Sequence, residues 1–144
     1  MGDKAVVNPR HNKAEVFARL RDAHAREVTV DYVEMIGDLI AEEGEARSVA
    51  LAERFGVTPA TVNNTIKRLE RDGFVTSRPY RAIFLTEKGE ALAKKCRERH
   101  QIVYNFLVSI GVDPEIAEFD AEGIEHHVSE ETLAVFERVA KSSV

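Results

Sequence analysis

Glu122, Glu125 and His126 stand at i, i+3 and i+4 in the segment Asp120-Ala121-Glu122-Gly123-Ile124-Glu125-His126-His127. On a helix that spacing puts all three side chains on one face. Carboxylates one turn apart repel, so a helix gains nothing from the arrangement by itself. A divalent cation would remove the repulsion and use the same oxygens and imidazole nitrogen as ligands. Asp31 and Glu34 repeat the i, i+3 spacing on another expected helix, and His100 lies on a third. Taken singly, Asp31 and Glu34 read as an acidic pair suited to a helix N-terminus, and His100 as an ordinary helical residue. Taken jointly, on helices able to converge, they describe an oxygen-and-imidazole metal site.

The donor types narrow the metal. Carboxylates and imidazoles without thiolates suit Mn²⁺, with room for Fe²⁺, Co²⁺ or Zn²⁺. A structural zinc site would more often bring several cysteines at CxxC spacing, and the only cysteine here is Cys96. It lies one turn before His100 and reads as a small residue on an apolar face rather than a ligand. His127, about 100° around the helix from His126, points away from the group.

These residues need elements to carry them. Residues 1–12 read as a loose polar arm. Lys13 to Arg26 reads as an amphipathic helix with Val16, Phe17, Leu20 and Ala23 as its stripe; Tyr32, Val33, Ile36, Leu39 and Ile40 mark a helical stretch ending at Gly44. Asp31 and Glu34 are expected early on it. Val49, Leu51, Ala52 and Phe55 suggest a short helix from Ser48, stopped by Gly56. Thr58 and Pro59 then form an N-cap and N1 pair for a second helix with Val62, Ile66 and Leu69 inward, ending at Gly73. Two β-prone runs, Phe74-Val75-Thr76 and Ala82-Ile83-Phe84-Leu85, flank a tip Arg78-Pro79-Tyr80-Arg81. A helix-turn-helix followed by a basic hairpin is a winged helix. Thr86 can cap a long helix to about Ile110, Asp113-Pro114 opens the helix of the acidic cluster, and Ser129 can cap a last helix.

The expected recognition helix carries Thr58, Pro59, Thr61, Asn63, Asn64, Lys67 and Arg68. Short polar side chains in its first turns suit entry into a major groove, and Arg78 and Arg81 on the hairpin suit backbone phosphates. Charge agrees. The net charge is −5 over 144 residues, but Arg47 to Lys88 holds eight cations against four carboxylates, and Gly111 to Val144 holds two against nine. The middle of the chain can face a polyanion and the end can hold cations. No apolar run reaches the roughly 20 residues of a membrane span. The N-terminus carries no secretory h-region. A lone cysteine fits a reducing cytoplasm.

A metal-binding helix, a winged helix, a long helix and a Glu122-Gly123-Ile124-Glu125-His126-His127 segment, in that order, resemble the diphtheria-toxin-repressor family of metal-dependent regulators. The likeness is closest to its manganese-responsive branch and spans roughly Thr29 to Lys141. Asp31-Tyr32-Val33-Glu34, Arg99-His100 and Glu122 to Ser129 carry it. The resemblance implies that Asp31, Glu34, His100, Glu122, Glu125 and His126 are ligands of a two-metal cluster with bridging carboxylates. It also implies that iron-responsive relatives carry methionine at the place of Asp31 and cysteine at that of Glu122. The extra C-terminal domain of the iron-type members is expected to be absent.

The expectation is therefore a mainly α protein in three parts: an arm and helix over 1–26, a winged helix-turn-helix DNA-binding domain over 27–86, and a helical metal-binding and dimerisation domain over 87–144. Its expected function is a cytoplasmic, manganese-responsive repressor that binds palindromic double-stranded operator DNA as a homodimer, with no membrane partner and no organic substrate. Two alternatives use the same residues: a dinuclear metal-dependent hydrolase, and a winged-helix regulator that senses an organic ligand.

Overall fold

The structure is a computed structural model, described over residues 12–78 and 82–142. Six helices and a two-stranded wing follow in the order α1 (Lys13–Glu43), α2 (Ser48–Phe55), α3 (Pro59–Arg71), β1 (Val75–Thr76), β2 (Phe84–Leu85), α4 (Glu87–Ser109), α5 (Pro114–Ile124) and α6 (Glu130–Ser142).

The punctuation residues act as their chemistry requires. Thr58 Oγ1 accepts from the Thr61 N–H at 3.2 Å, Thr86 Oγ1 from Gly89 at 3.1 Å, an Asp113 carboxylate oxygen from Glu115 at 3.2 Å, and Ser129 Oγ from Thr132 at 3.1 Å. Each satisfies an N–H that a helix start leaves without a partner. Gly44 ends α1 in the left-handed region at φ +84°, where a side chain is costly.

The N-terminal helices differ from expectation. Lys13 to Arg26 is not a separate helix: α1 runs unbroken for 31 residues, because no proline or glycine interrupts it before Gly37, which stays helical. Asp31 and Glu34 consequently lie in mid-helix, where the dipole offers an acidic pair no stabilisation. The stripe that was to bury this segment is also mostly open. Ala23 is buried, but Val16, Phe17 and Leu20 are exposed, Phe17 to 56 %.

Two cores result. In the first, Tyr32, Ile36 and Leu39 of α1 meet Leu51 and Ala52 of α2, Val62, Ile66 and Leu69 of α3, and Val75 and Ile83 of the wing. Tyr32 stacks on Phe55 at 4.6 Å between ring centroids. In the second, Val103 of α4, Ala121 of α5 and Leu133 of α6 are buried together, and Phe106 stacks on Phe136 at 4.0 Å. Helix α4 packs on α5 and α6 and also on α1. One long helix therefore sits in the first core and leans on the frame of the second.

The wing is antiparallel, with Val75 opposite Leu85 and Thr76 opposite Phe84. Ile83 extends it by donating its N–H to the Ala46 carbonyl at 2.8 Å. Where α4 leaves the wing, a Cβ on Gly89 would overlap the Phe74 carbonyl oxygen, so only glycine allows this approach. No described helix is long and apolar enough to cross a membrane.

Candidate functional site

Helices α4 and α5 bring His100, Glu122 and Glu125 together, with one ligand atom of each lying within 4.8 Å of the others. His100 is held through one ring nitrogen and turns the other toward the carboxylates. Its Nε2 lies 2.9 Å from Glu118 Oε1, one turn before Glu122 on α5. Its Nδ1 faces Glu122 Oε1 at 3.3 Å and Glu125 Oε2 at 4.0 Å. A carboxylate on one imidazole nitrogen fixes the ring and leaves the other nitrogen to face a cation.

The segment after α5 departs from the helical reading. Helix α5 ends at Ile124, and Glu125 keeps a right-handed helical backbone as its cap. His126 begins a turn in which its N–H points at the Gly123 carbonyl. It therefore does not extend the α5 face. Its buried ring lies on the other side of Glu125, with Nε2 3.5 Å from Glu125 Oε1. Arg99 holds this turn, donating to the backbone carbonyls of Glu125 and Val128 and to Glu130 Oε1. Neither Glu118 nor Arg99 was singled out for these roles from sequence. Glu118 did carry a signal, the i, i+4, i+7 ridge it makes with Glu122 and Glu125. Arg99 acts mainly on backbone carbonyls, which no side-chain spacing reveals.

Asp31 and Glu34 contribute no atom to the His100–Glu122–Glu125 group, but they feel it. Burial raises the Asp31 carboxyl to about 6, with Glu27 and Glu122 adding to the rise. Glu34 is raised to about 7 by burial and by the charges of Glu122, Asp31 and Asp38. Glu125 is pushed furthest, to about 8, by burial first and then by Glu122 and Glu34, against the pull of Arg99. Burial lowers His126, favouring the neutral imidazole that binds metals. Burial, with Glu125 and Glu34, pushes the Cys96 thiol up to about 11.

Two buried atoms of the group, His100 Nδ1 and Glu125 Oε2, have no hydrogen-bond partner. Buried polar atoms are rarely left so. An unpartnered imidazole nitrogen and an unpartnered carboxylate oxygen facing one point, among carboxyls that repel one another, fit a divalent cation.

The second surface is on α3 and the wing. Thr58, Pro59, Thr61, Asn63, Asn64 and Lys67 are all exposed, while Arg68 is half-buried. Thr58 and Thr61 share a hydroxyl contact of 3.0 Å, so one end of the row is ordered. A groove beside it is lined by Arg47, Asn63, Lys67 and Arg78, among others. Glu70 Oε2 accepts from the Ser77 N–H at 3.0 Å, fastening α3 to the start of the hairpin. The hairpin tip expected to carry Arg81, with Pro79 and Tyr80, lies outside the described residues.

Comparison with known proteins follows the same division. Residues 25–83 match the family model for the N-terminal DNA-binding domain of iron-dependent repressors, and residues 86–141 the one for their metal-binding and dimerisation domain. The chain is 57 % identical over 122 residues to the transcriptional regulator MntR of Salmonella typhimurium, covering 85 % of this chain and 78 % of that one. It is 43 % identical over 99 residues to the MntR of Lysinibacillus sphaericus, covering 69 % and 71 %. Among solved structures, a manganese-dependent transcriptional repressor in complex with manganese superposes with a TM-score of 0.65 at 29 % identity, over 78 % of this chain and 52 % of that one. The manganese regulator SloR shares the fold, with a TM-score of 0.65 at 23 % identity over 78 % and 53 %. This chain spans about half the length of those two solved regulators.

Proposed function

This chain belongs to the MntR transcriptional regulators, within the iron-dependent repressors, and is thus a regulator of transcription rather than an enzyme; on that premise we propose a manganese-responsive repressor that binds palindromic operator DNA as a metal-loaded homodimer. The observation that carries the reading is the pair of buried unpartnered donors, His100 Nδ1 and Glu125 Oε2, aimed into a cluster of repelling carboxyls.

In this proposal Asp31, Glu34, His100, Glu122, Glu125 and His126 hold Mn²⁺, two ions per chain, in the cytoplasm. When bound, the ions supply positive charge that lets these carboxylates stay ionised side by side. The hard donors Asp31 and Glu122 favour Mn²⁺, with room for Fe²⁺, Co²⁺ or Zn²⁺. Asp31 and Glu34 ride on α1, whose next turns, at Ile36 and Leu39, are built into the DNA-binding core. His100 and Glu122 ride on α4 and α5. Drawing the two sets together fixes α1 against α4 and so restricts how each winged helix is presented. A coupling of about 1–3 kcal/mol is enough for a switch. Thr58, Pro59, Thr61, Asn63, Asn64 and Lys67 are proposed to enter the major groove, with Arg78 and Arg81 on phosphates.

Family membership removes the hydrolase alternative. The organic-ligand alternative is tested together with the proposal. Operator binding is titrated by fluorescence anisotropy without metal and with each divalent ion, for wild type and for Glu122→Ala and His126→Ala. Mn²⁺ should tighten wild-type binding and leave both folded variants unresponsive. Tight operator binding that ignores metal would contradict the reading.

A further inference from the structure

The start of α1, from Lys13 to His24, precedes the matched DNA-binding domain, which begins at residue 25. At 1.5 Å per residue this stretch carries the helix about 18 Å further. Its apolar stripe does not stop where the chain's own core stops. Ala23 and Val30 are buried, while Leu20, Phe17 and Val16, one and two turns before Ala23, are 50 %, 56 % and 43 % exposed. Three large apolar side chains on one helix face mark a surface that packs against something. A second apolar patch faces the same way. Leu20, Glu27 and Asp31 stand at i, i+7 and i+11, on one side of α1. Glu27 and Asp31 line an open groove with Phe119 of α5. Phe119 is 81 % exposed, and Ile116, one turn before it, 55 %. The two surfaces carry opposite charge. From Lys13 to Arg26 four cations stand against two carboxylates, whereas α5 holds four carboxylates and no cation.

We propose, resting on the homodimer proposed above, that the N-terminal half of α1 is a dimerisation arm. Phe17 and Leu20 of one copy pack on Ile116 and Phe119 of the other, and reciprocally. The occupant is a second copy because both surfaces belong to one chain, are opposite in charge, and would be satisfied together by a single twofold axis. The α5 side of the contact also lies within the matched dimerisation domain, so the arm extends that interface beyond the residues of the domain itself. The apolar anchors supply the affinity, and the opposite charges orient the arm on α5. Each arm then lies over the helix of the other copy that carries Glu122.

The test compares the full chain with its Phe17→Asp/Leu20→Asp variant by sedimentation equilibrium. Wild type should be a dimer. The variant should keep its circular dichroism, and its dimer dissociation constant should rise by about tenfold or more. A second measurement locates the contact. Leu20→Cys and Phe119→Cys chains, purified separately, mixed until subunits exchange and then oxidised, should give a covalent pair containing one of each, since the native Cys96 is buried. A monomeric wild type would overturn the homodimer and the arm with it. A dimeric wild type whose dissociation constant is unchanged in the variant, or a mixture that forms no such pair, leaves the homodimer standing and overturns the arm. The stripe would then be covered by residues 1–11 of its own chain or by another macromolecule.

Discussion

Glu118 turns a histidine on a helix into an oriented donor. Its carboxylate holds His100 Nε2 at 2.9 Å, leaving Nδ1 toward Glu122 and Glu125. Glu118→Gln should retain the fold and weaken Mn²⁺ binding by about tenfold or more, measured by isothermal titration. The carboxyls themselves predict a pH dependence. Glu125 is raised from 4.5 to about 8 in the folded chain. The folded state therefore holds the proton more tightly than the unfolded one. Below 4.5 the group is neutral in both states. Between 4.5 and about 8 the unfolded chain ionises first, so stability is lost as pH rises through that window. Metal-free protein should melt lower at pH 8 than at pH 6, and Mn²⁺ should release protons on binding, most clearly near pH 7. A melting temperature that rises over that interval would show that burial and the neighbouring carboxylates do not raise Glu125.

At the level of helices and wing, the contacts that aim the chemistry are few. Gly89 lets α4 rest against the Phe74 carbonyl. Gly89→Ala should cost about 1–3 kcal/mol of stability in denaturant unfolding, because backbone must move to make room. Arg78 lines the groove between α3 and the hairpin. Arg78→Ala should weaken binding to all DNA sequences and reduce the salt slope by about 1, whereas Asn63→Ala should change base preference. Most of these elements could be read from the chain because their ends are chemical: Thr58, Thr86, Asp113 and Ser129 cap helices wherever they are free to do so. Two features could not. Continuity of α1 through Arg26 depends on the absence of a breaker, which apolar spacing does not report. The turn at His126 depends on Arg99 gathering the Glu125 and Val128 carbonyls, a tertiary contact with no local signature. Six metal-binding candidates were visible as types at spacings, yet that three of them share a point and His126 stands behind Glu125 is a property of packing.

Across the whole molecule, charge and connectivity agree. The basic middle of the sequence carries the α3 and hairpin surface, the acidic end carries Glu122 and Glu125 of the candidate metal site, and α1 packs in the first core and against α4. Phe119, 81 % exposed on α5, Ile116 three residues before it and Ile110 at the end of α4 leave apolar surface on the C-terminal helices, in keeping with a dimerisation domain. If metal acts by tying α1 to α4 and α5, the two ligands of the protein must be thermodynamically linked, and each must tighten the other by the same factor. The decisive measurement is Mn²⁺ affinity by isothermal titration, with and without saturating operator DNA. Operator should tighten Mn²⁺ binding by about 5–150-fold, matching the factor by which Mn²⁺ tightens operator binding. Equal Mn²⁺ affinity in the presence and absence of operator would contradict the coupling of the metal cluster to DNA.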